Sequence, residues 1–356
     1  MPASASRLLV VMPSWVGDCV MATPLLRAIR RHYEAAGRET YMAAYLRPHL
    51  APLFSSETGF DACIEGRPAG LLGPLREAGR LRRHGFDTAL ILPNSFRAAL
   101  LTWLARVPRR IGYDRDGRGP LLTGRVPCPA SGGRRAPVPL VEYYLKLAEP
   151  LGVEVAGDRS PRLAPRKADI ALARGMLESR GVSPERPIAL LNPGASKPGK
   201  RWPAGRFAAL ADLLHDRHGM QILINGAPNE RELIQDVADR VEHAVILDLS
   251  RHDTTLAALA ALCTLVDLVV TNDTGTRHIA AAVGFERLHR GEPAPGIVTI
   301  FGTVRPEWTT LNYPRERELV DHATGGVEGV SLSQVADACR VLLTPAPSGR
   351  DATPSN

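Results

Sequence analysis

The chain has 356 residues, a net charge of +7, 44% hydrophobic residues and 23% charged residues. This length fits two average globular domains, and no apolar run approaches the roughly 18 residues of a membrane-spanning helix. The amino terminus has no secretory signal pattern and the five cysteines have no metal-ligand spacing, so we expect a cytoplasmic protein without a zinc site or a disulfide framework.

Strands and helices alternate through the first half of the sequence. Apolar runs predict buried strands, and apolar residues at helical spacing predict helices. The strands are predicted at 7–12, 40–44 and 88–92, and the helices at 22–33, 98–104 and 140–151. Such alternation indicates a parallel sheet covered by helices.

The same alternation resumes after a linker at 152–187, which contains one predicted helix at 168–179. Strands are then predicted at 188–191, 221–224, 244–247, 268–271 and 297–301, and helices at 207–215, 231–241, 254–266, 276–283 and 331–343. We therefore predict an α/β protein with two Rossmann-like domains that face each other across a cleft.

The predicted domains span residues 1–165 and 166–345. An open alternative is that the last helix of the second domain packs on the first domain. Residues 346–356 are rich in proline and polar residues, which predicts a disordered tail. The charge divides at the same boundary, because the first 165 residues carry a net charge of +9 and the remainder −2. The basic half suits a polyanionic partner or an anionic membrane face, and the alternative is a solvated, arginine-rich surface.

Two glycine-centred acidic motifs follow predicted buried strands, Pro13–Asp18 in the first half and Asn272–His278 in the second. Ligands of open α/β sheets bind beyond the carboxyl ends of the strands, so each motif lies where a site would form. At the rim of the cleft, Asp18 could act as a general base, and the alternative is a helix cap. At the second motif, a helix start could hold a phosphate while Asp273 accepts hydrogen bonds from sugar hydroxyls; a plain cap is again the alternative.

Two further loops at strand ends carry polar residues. The segment 194–201 comes within one residue of a P-loop, but Arg201 replaces the magnesium-binding hydroxyl and a Trp-Pro pair interrupts the expected helix. We therefore exclude a P-loop ATPase and expect Lys197, Lys200 and Arg201 to suit a diphosphate without a metal. In the loop 225–230, Glu230 could bind a ribose, as acidic residues do in nucleotide sites.

Five motifs occur in the order found in the ADP-heptose:lipopolysaccharide heptosyltransferases, glycosyltransferase family 9: 14–18, 92–97, 193–195, 200–203 and 272–278. The chain resembles this family, and most of all its type II members, from about residue 7 to residue 309. The resemblance implies a GT-B fold, with an acceptor-binding first domain and an ADP-sugar-binding second domain. It implies inverting transfer of L-glycero-D-manno-heptose from ADP-heptose to the inner-core heptose of lipopolysaccharide.

The resemblance also implies roles for individual residues. Asp18 corresponds to the catalytic base, and the donor is assigned to Lys200, Glu230, Asp273, Thr274, Gly275 and His278. The acceptor side is assigned to Ser14, Trp15, Gly17, Asn94, Ser95 and Arg97. No cofactor, metal or nucleic acid is expected. The expected partners are the nucleotide sugar and the lipopolysaccharide core, for a monomer whose contact with the inner face of the inner membrane is left open.

Two segments depart from the family pattern. Residues 285–296 are predicted to be an inserted loop near the donor, and the segment 302–306 has a changed middle, which weakens any role for Thr303 and Arg305. Three alternative functions stay open: a transferase for another nucleotide sugar or glycan, a sugar-nucleotide epimerase on the same fold, and a non-catalytic nucleotide-binding protein.

Overall fold

The computed structural model describes residues 6–54, 59–67, 70, 73–131, 134–135, 138–252, 254–302, 306–322 and 325–344. The predicted tail at 346–356, and the residues Thr303 and Arg305, lie outside this described part of the chain.

The first half forms one six-stranded parallel sheet with the order β3-β2-β1-β4-β5-β6, beside a two-stranded ribbon. The strands are β1 (Ser6–Val11), β2 (Thr40–Leu46), β3 (Ala62–Glu65), β4 (Thr88–Ile91), β5 (Arg109–Tyr113), β6 (Gly124–Val126), β7 (Ala130–Ser131) and β8 (Arg134–Arg135). The helices are α1 (Val16–Met21), α2 (Thr23–Ala35), α3 (Gly73–Arg82), α4 (Phe96–Leu104) and α5 (Leu140–Leu145).

The second half forms another six-stranded parallel sheet, with the order β11-β10-β9-β12-β13-β14. Its strands are β9 (Ile188–Asn192), β10 (Gln221–Ile224), β11 (Ile246–Asp248), β12 (Leu268–Asn272), β13 (Gly296–Phe301) and β14 (Glu316–Val320). Its helices are α6 (Lys167–Glu178), α7 (Ala204–His218), α8 (Arg231–Ala238), α9 (Leu256–Leu262), α10 (Gly275–His289), α11 (Pro306–Thr309) and α12 (Leu332–Leu343).

Both sheets have the strand order of a dinucleotide-binding fold. The winding reverses between β1 and β4 in the first sheet and between β9 and β12 in the second, and ligands bind at such switch points. The central strands are apolar on both faces because helices cover both sides of each sheet, as parallel sheets require. The predicted α/β architecture with two parallel sheets is therefore confirmed.

The structure differs from the sequence predictions at helices α1, α3, α10 and α11; no helix was predicted at 73–82 or at 306–309. Residues 16–21 form a short helix, α1, where we predicted only a loop. Helix α10 continues to His289, so the first part of the predicted insertion at 285–296 is helical; Phe285 packs edge-on against Tyr313 with ring centroids 5.0 Å apart. Helix α12 packs on α7 and on the strands of the second sheet.

The two halves share an apolar core. One cluster of buried side chains runs from the underside of the first sheet into the second half, from Leu8 and Val10 to Leu190 and Ile279. The segment between the halves is tied to both of them, since the Leu163 amide donates to the Ala282 carbonyl at 3.2 Å and the Arg162 amide donates to Thr23 Oγ1 at 3.1 Å.

Helices α1 and α10 meet through a reciprocal pair of glycines. A Cβ atom on Gly17 would lie 2.6 Å from Cδ2 of His278, and one on Gly275 would lie 2.9 Å from Cβ of Val16. Each helix therefore receives a side chain of the other at a position where only hydrogen fits. This contact brings the loops after β1 and β12 together at one edge of the molecule.

We expect Gly17→Ala and Gly275→Ala each to destabilise the protein by about 1–3 kcal/mol, because a new methyl group forces the packed helices apart. Urea unfolding measures the change. The controls are Gly79→Ala in α3 and Gly175→Ala in α6, where a Cβ meets nothing within 4 Å. Alanine there should be neutral or stabilising by about 0.5–1 kcal/mol, and equal losses at all four positions would contradict the argument.

Candidate active site

A cavity of about 680 Å³ lies between the two halves, beyond the carboxyl ends of the central strands. Its wall comes from the loops that follow β1, β9, β10 and β12. Nine of the residues assigned from the sequence line it: Trp15, Gly17, Asp18, Lys200, Glu230, Asp273, Thr274, Gly275 and His278. The fold thus brings together residues that are up to 263 positions apart in the chain.

Asp18 is the carboxylate of the first half in this cavity. It occupies the first turn of α1, beside Trp15, whose side chain is 70% exposed at the rim. Burial raises the pKa of Asp18 from 3.8 to about 6. A carboxylate with a pKa in this range is ionised at neutral pH and is a stronger proton acceptor than an ordinary aspartate.

His278 faces Asp18's helix from the second half. Its ring packs against Gly17, and its Nδ1 atom is buried without a hydrogen-bond partner within the described residues. Burial, reinforced by the neighbouring Arg277, lowers the pKa of His278 to about 3. The imidazole is therefore neutral at physiological pH. It can donate a hydrogen bond to a ligand or accept one from it, but it contributes no charge.

Asp273 lies between two cations. Its Oδ2 atom is 3.5 Å from Lys200 Nζ, and its Oδ1 atom is 3.6 Å from Arg277 Nη1. The carboxylate is 8% exposed and lines the cavity together with Lys200. An ionised carboxylate held in this way can accept hydrogen bonds from hydroxyl groups, while the Lys200 ammonium offers positive charge to an anion.

Arg277 supports the Asp273 part of the site from within the protein interior. Its guanidinium is fully buried and lies over the Phe301 ring, 4.8 Å from the centroid. It donates to Glu316 Oε1 and to Glu318 Oε1, both at 2.6 Å, and to the Thr309 carbonyl at 2.8 Å. Arg277 received no role from the sequence, because both glutamates belong to the distant edge strand β14.

Two asparagines at strand ends organise the loops around the cavity. Asn192 Oδ1 accepts hydrogen bonds from Asn225 Nδ2 at 2.8 Å and from Thr276 Oγ1 at 2.9 Å. The Asn272 amide group donates to the Pro193 carbonyl at 2.8 Å, and its Oδ1 accepts from the Trp202 amide at 3.0 Å. Neither asparagine was predicted to organise these loops, although the available signal was an asparagine at the end of a buried apolar strand.

Of the three basic residues in the loop after β9, one reaches the cavity. Lys200 lines it, Arg201 donates to the Ala195 carbonyl at 3.2 Å, and Lys197 is exposed. In the neighbouring loop, Glu230 Oε2 accepts a hydrogen bond from the Ala227 amide at 2.9 Å. The Glu230 carboxylate lies against Gly194, where a Cβ would come within 2.4 Å of both carboxylate oxygens.

Helix α10 begins at the cavity with uncapped backbone amides. Its N-cap residue, Thr274, makes no side-chain capping bond; instead its Oγ1 lies 3.2 Å from Thr271 Oγ1 and 3.4 Å from Asn192 Nδ2. The first amides of this 15-residue helix are thus available, and the helix dipole favours an anion there.

A second cavity, of about 380 Å³, lies beyond the carboxyl ends of β1, β2 and β4. Three residues assigned to the acceptor side line it, Ser14, Ser95 and Arg97, together with Arg47 and Arg67. Ser14 and Trp15 are consecutive but line different cavities, so the loop after β1 lies between the two.

Asn94, also assigned to the acceptor side, makes internal contacts. Its Oδ1 atom accepts hydrogen bonds from Arg118 Nη2 and from Tyr143 OH, both at 3.1 Å.

Within the described residues, no group of three or more His, Cys, Asp or Glu side chains is placed to hold a metal ion.

The chain is similar in sequence to known glycosyltransferases. The model of glycosyltransferase family 9 (heptosyltransferase) matches residues 75–317. Lipopolysaccharide heptosyltransferase 2 of Salmonella typhimurium is 30% identical over 314 residues, which cover 85% of this chain and 84% of the relative.

Solved structures show the same fold. E. coli ADP-heptose lipopolysaccharide heptosyltransferase II superposes with a TM-score of 0.77 at 24% identity, covering 94% of this chain and 98% of that chain. A family 9 glycosyltransferase from Veillonella parvula superposes with a TM-score of 0.81 at 21% identity, covering 96% and 98%. The predicted GT-B arrangement is therefore confirmed.

We expect Arg277→Met to destabilise the protein by about 3–5 kcal/mol, because it leaves the buried carboxylate of Glu316 and the partly exposed carboxylate of Glu318 without their cation. Urea unfolding measures the loss. The control is Arg240→Met, which breaks an exposed pair with Asp236 and should cost less than about 1 kcal/mol. A loss at Arg277 no larger than the loss at Arg240 would contradict this role.

Asp18 should destabilise the folded state at neutral pH. Its folded pKa of about 6 exceeds the ordinary 3.8, so the folded protein binds this proton more tightly, and stability is lost as the pH rises from about 4 to 6. We therefore expect Asp18→Asn to be more stable than the wild type by up to about 3 kcal/mol at pH 8, and by much less at pH 4. Denaturant unfolding at the two pH values measures this, and a pH-independent difference would show that burial does not raise this pKa.

Proposed function

The chain belongs to glycosyltransferase family 9 (heptosyltransferase), and from this we propose that it is an inverting enzyme that transfers L-glycero-D-manno-heptose from ADP-heptose to the inner-core heptose of lipopolysaccharide. The observation that carries the proposal is the cavity of about 680 Å³ between the two sheets, lined by Asp18 on one side and by Lys200, Asp273 and the start of α10 on the other.

The donor occupies the side of the cavity formed by the second half. The diphosphate lies at the uncapped start of α10, within reach of the Lys200 ammonium, because both offer positive potential to an anion. Asp273 accepts hydrogen bonds from the heptose hydroxyls, and Glu230 accepts them from the ribose. The neutral imidazole of His278 adds a hydrogen bond to the donor where the two halves meet.

The acceptor enters from the first half, beside the loop that carries Ser14 and Trp15. The carboxylate of Asp18 removes the proton from the acceptor hydroxyl as its oxygen bonds to C1 of the heptose. The bond from C1 to the ADP oxygen breaks on the opposite face of the sugar, which inverts the anomeric configuration. Lys200 and the α10 amides stabilise the negative charge that develops on the departing ADP.

The reaction is proposed to need no metal ion, because Lys200 and the helix start supply the positive charge that a divalent cation would otherwise provide. Addition of a chelator is therefore expected to leave the rate unchanged.

We further propose that the enzyme works as a monomer in the cytoplasm and touches the inner face of the inner membrane, where a lipid-linked acceptor is located. The excess of positive charge in the first half supports this arrangement. No helix in the described part of the chain combines the length and apolar character needed to cross a bilayer.

The first test is release of ADP from ADP-heptose with and without an inner-core acceptor that ends in heptose. We expect release that depends on the acceptor, and a decrease in kcat of about a hundredfold to ten-thousandfold in Asp18→Asn. The control is Asp337→Asn, at a carboxylate that is 71% exposed on α12. Conversion of ADP-heptose into another ADP-sugar without any acceptor would favour an epimerase, and donor binding without any product would favour a non-catalytic protein; either result would contradict the proposal.

The pH dependence provides a separate test of the base. Since Asp18 titrates near pH 6 and His278 near pH 3, kcat/KM should decrease about tenfold per pH unit below pH 6, and we expect Asp18 rather than His278 to cause this limb. The residual activity of Asp18→Asn should lack the limb. A limb that persists in this variant would assign the titration to another group.

A further inference from the structure

Helices α3 and α4 form the outer layer on one side of the first sheet. Their inward residues, among them Ala78, Leu81 and Leu101, pack in one apolar cluster with Leu9 and Ile91 of the central strands. The two helices also pack on each other, so their outward residues form one continuous surface, which we name the α3–α4 face.

Large apolar side chains are exposed on the α3–α4 face. Leu75 is 53% exposed, Phe96 47% and Trp103 49%. Phe96, Leu100 and Trp103 follow at positions i, i+4 and i+7, which places them on one side of α4. By contrast, the exposed large apolar residues of the second half lie singly on separate elements, for example Leu172 on α6 and Val341 on α12.

Arginines are frequent in these two helices and directly after them. Helix α3 and the residue after it contain four arginines and one carboxylate, and Arg76, Arg83 and Arg106 are exposed. This carboxylate, Glu77, is already engaged by Arg80 at 3.5 Å. The face therefore combines an excess of positive charge with exposed aromatic rings. Anionic lipid headgroups attract such charge, and tryptophan is enriched where bilayers meet water.

We propose that the α3–α4 face docks on the surface of an anionic lipid bilayer, with Phe96 and Trp103 at headgroup depth and the arginines on the lipid phosphates. A protein partner fits less well, because the centre of a protein interface is depleted in charged residues, whereas here exposed arginines and exposed apolar residues belong to the same two helices. Binding to the bilayer depends on these charged and aromatic residues, and it does not depend on which reaction the protein catalyses.

The orientation of the docked enzyme rests on the proposed function. Arg97, Ala98 and Leu101 of α4 line the second cavity, which also contains Ser14. Docking through α4 therefore places the mouth of this cavity near the bilayer, where a lipid-linked acceptor presents its sugars. The cavity that holds ADP-heptose lies on the other side of the Ser14–Trp15 loop, toward the second half.

Flotation of the full-length protein with vesicles tests the docking. Vesicles of phosphatidylethanolamine and phosphatidylglycerol are compared with vesicles of phosphatidylcholine alone. We expect binding to the anionic vesicles that weakens at high salt, at least about tenfold weaker binding in Phe96→Ser/Trp103→Ser, and a similar loss in Arg76→Glu/Arg83→Glu. The matched controls are Leu172→Ser/Val341→Ser and Arg174→Glu/Arg217→Glu in the second half, which should bind like the wild type.

Three results would overturn the proposal: equal binding to both kinds of vesicle, equal losses in the control variants, or a wild-type dimer in sedimentation that becomes monomeric in Phe96→Ser/Trp103→Ser. A folding defect is distinguished from a docking defect by two measurements on the variants of the α3–α4 face. Their Tm should be unchanged, and so should their transfer to a water-soluble, delipidated acceptor. Vesicle binding is measured without substrates, so a failure of the proposed heptosyl transfer leaves this result interpretable.

Discussion

The close approach of α1 and α10 governs the geometry of the whole site. Each helix begins directly after the central strand of its own sheet, and each carries a glycine where the other inserts a side chain, His278 opposite Gly17 and Val16 opposite Gly275. The two helices approach so closely that only the hydrogen atom of a glycine fits between them, and a methyl group would not. Because of this close approach, the carboxyl ends of both sheets open into one cavity. Asp18 from one half and the start of α10 from the other consequently face the same volume.

The two aspartates of the cavity show how environment separates chemical roles. Asp18 lies in a partly dehydrated position, and burial raises its pKa toward neutrality, which suits a proton acceptor. Asp273 lies between Lys200 and Arg277, which hold its carboxylate in a position where it can accept hydrogen bonds from hydroxyl groups. A similar contrast holds for the cations, because Lys200 borders the cavity while Arg277 is fully buried and supports the loop from within.

Much of the fold could be predicted from the sequence because the central strands are apolar runs and their polar loops are short. The four strands at the two switch points were all recognised, and so was Asp18. The inner strand β5 and the edge strand β14 were missed, since β5 begins with two arginines and β14 carries two glutamates, which hide the strand pattern. Long-range partners were also missed, because the sequence around Arg277 contains nothing that points to carboxylates 39 and 41 positions away. The loop prediction for 285–296 was wrong for its first five residues, which continue α10 and include Phe285, whose ring packs against Tyr313.

The dependence of Arg277 on β14 also bears on the order in which the protein can mature during translation. The first sheet ends at Val126, so its strands are complete when little more than a third of the chain has been synthesised. Glu316 and Glu318 belong to the last strand of the second sheet, and the Arg277 guanidinium is buried only when they arrive. The ribosome must therefore release nearly the entire second half before Arg277 can support the loop of Asp273, so an incomplete chain would have the strands of the first sheet but would lack this support.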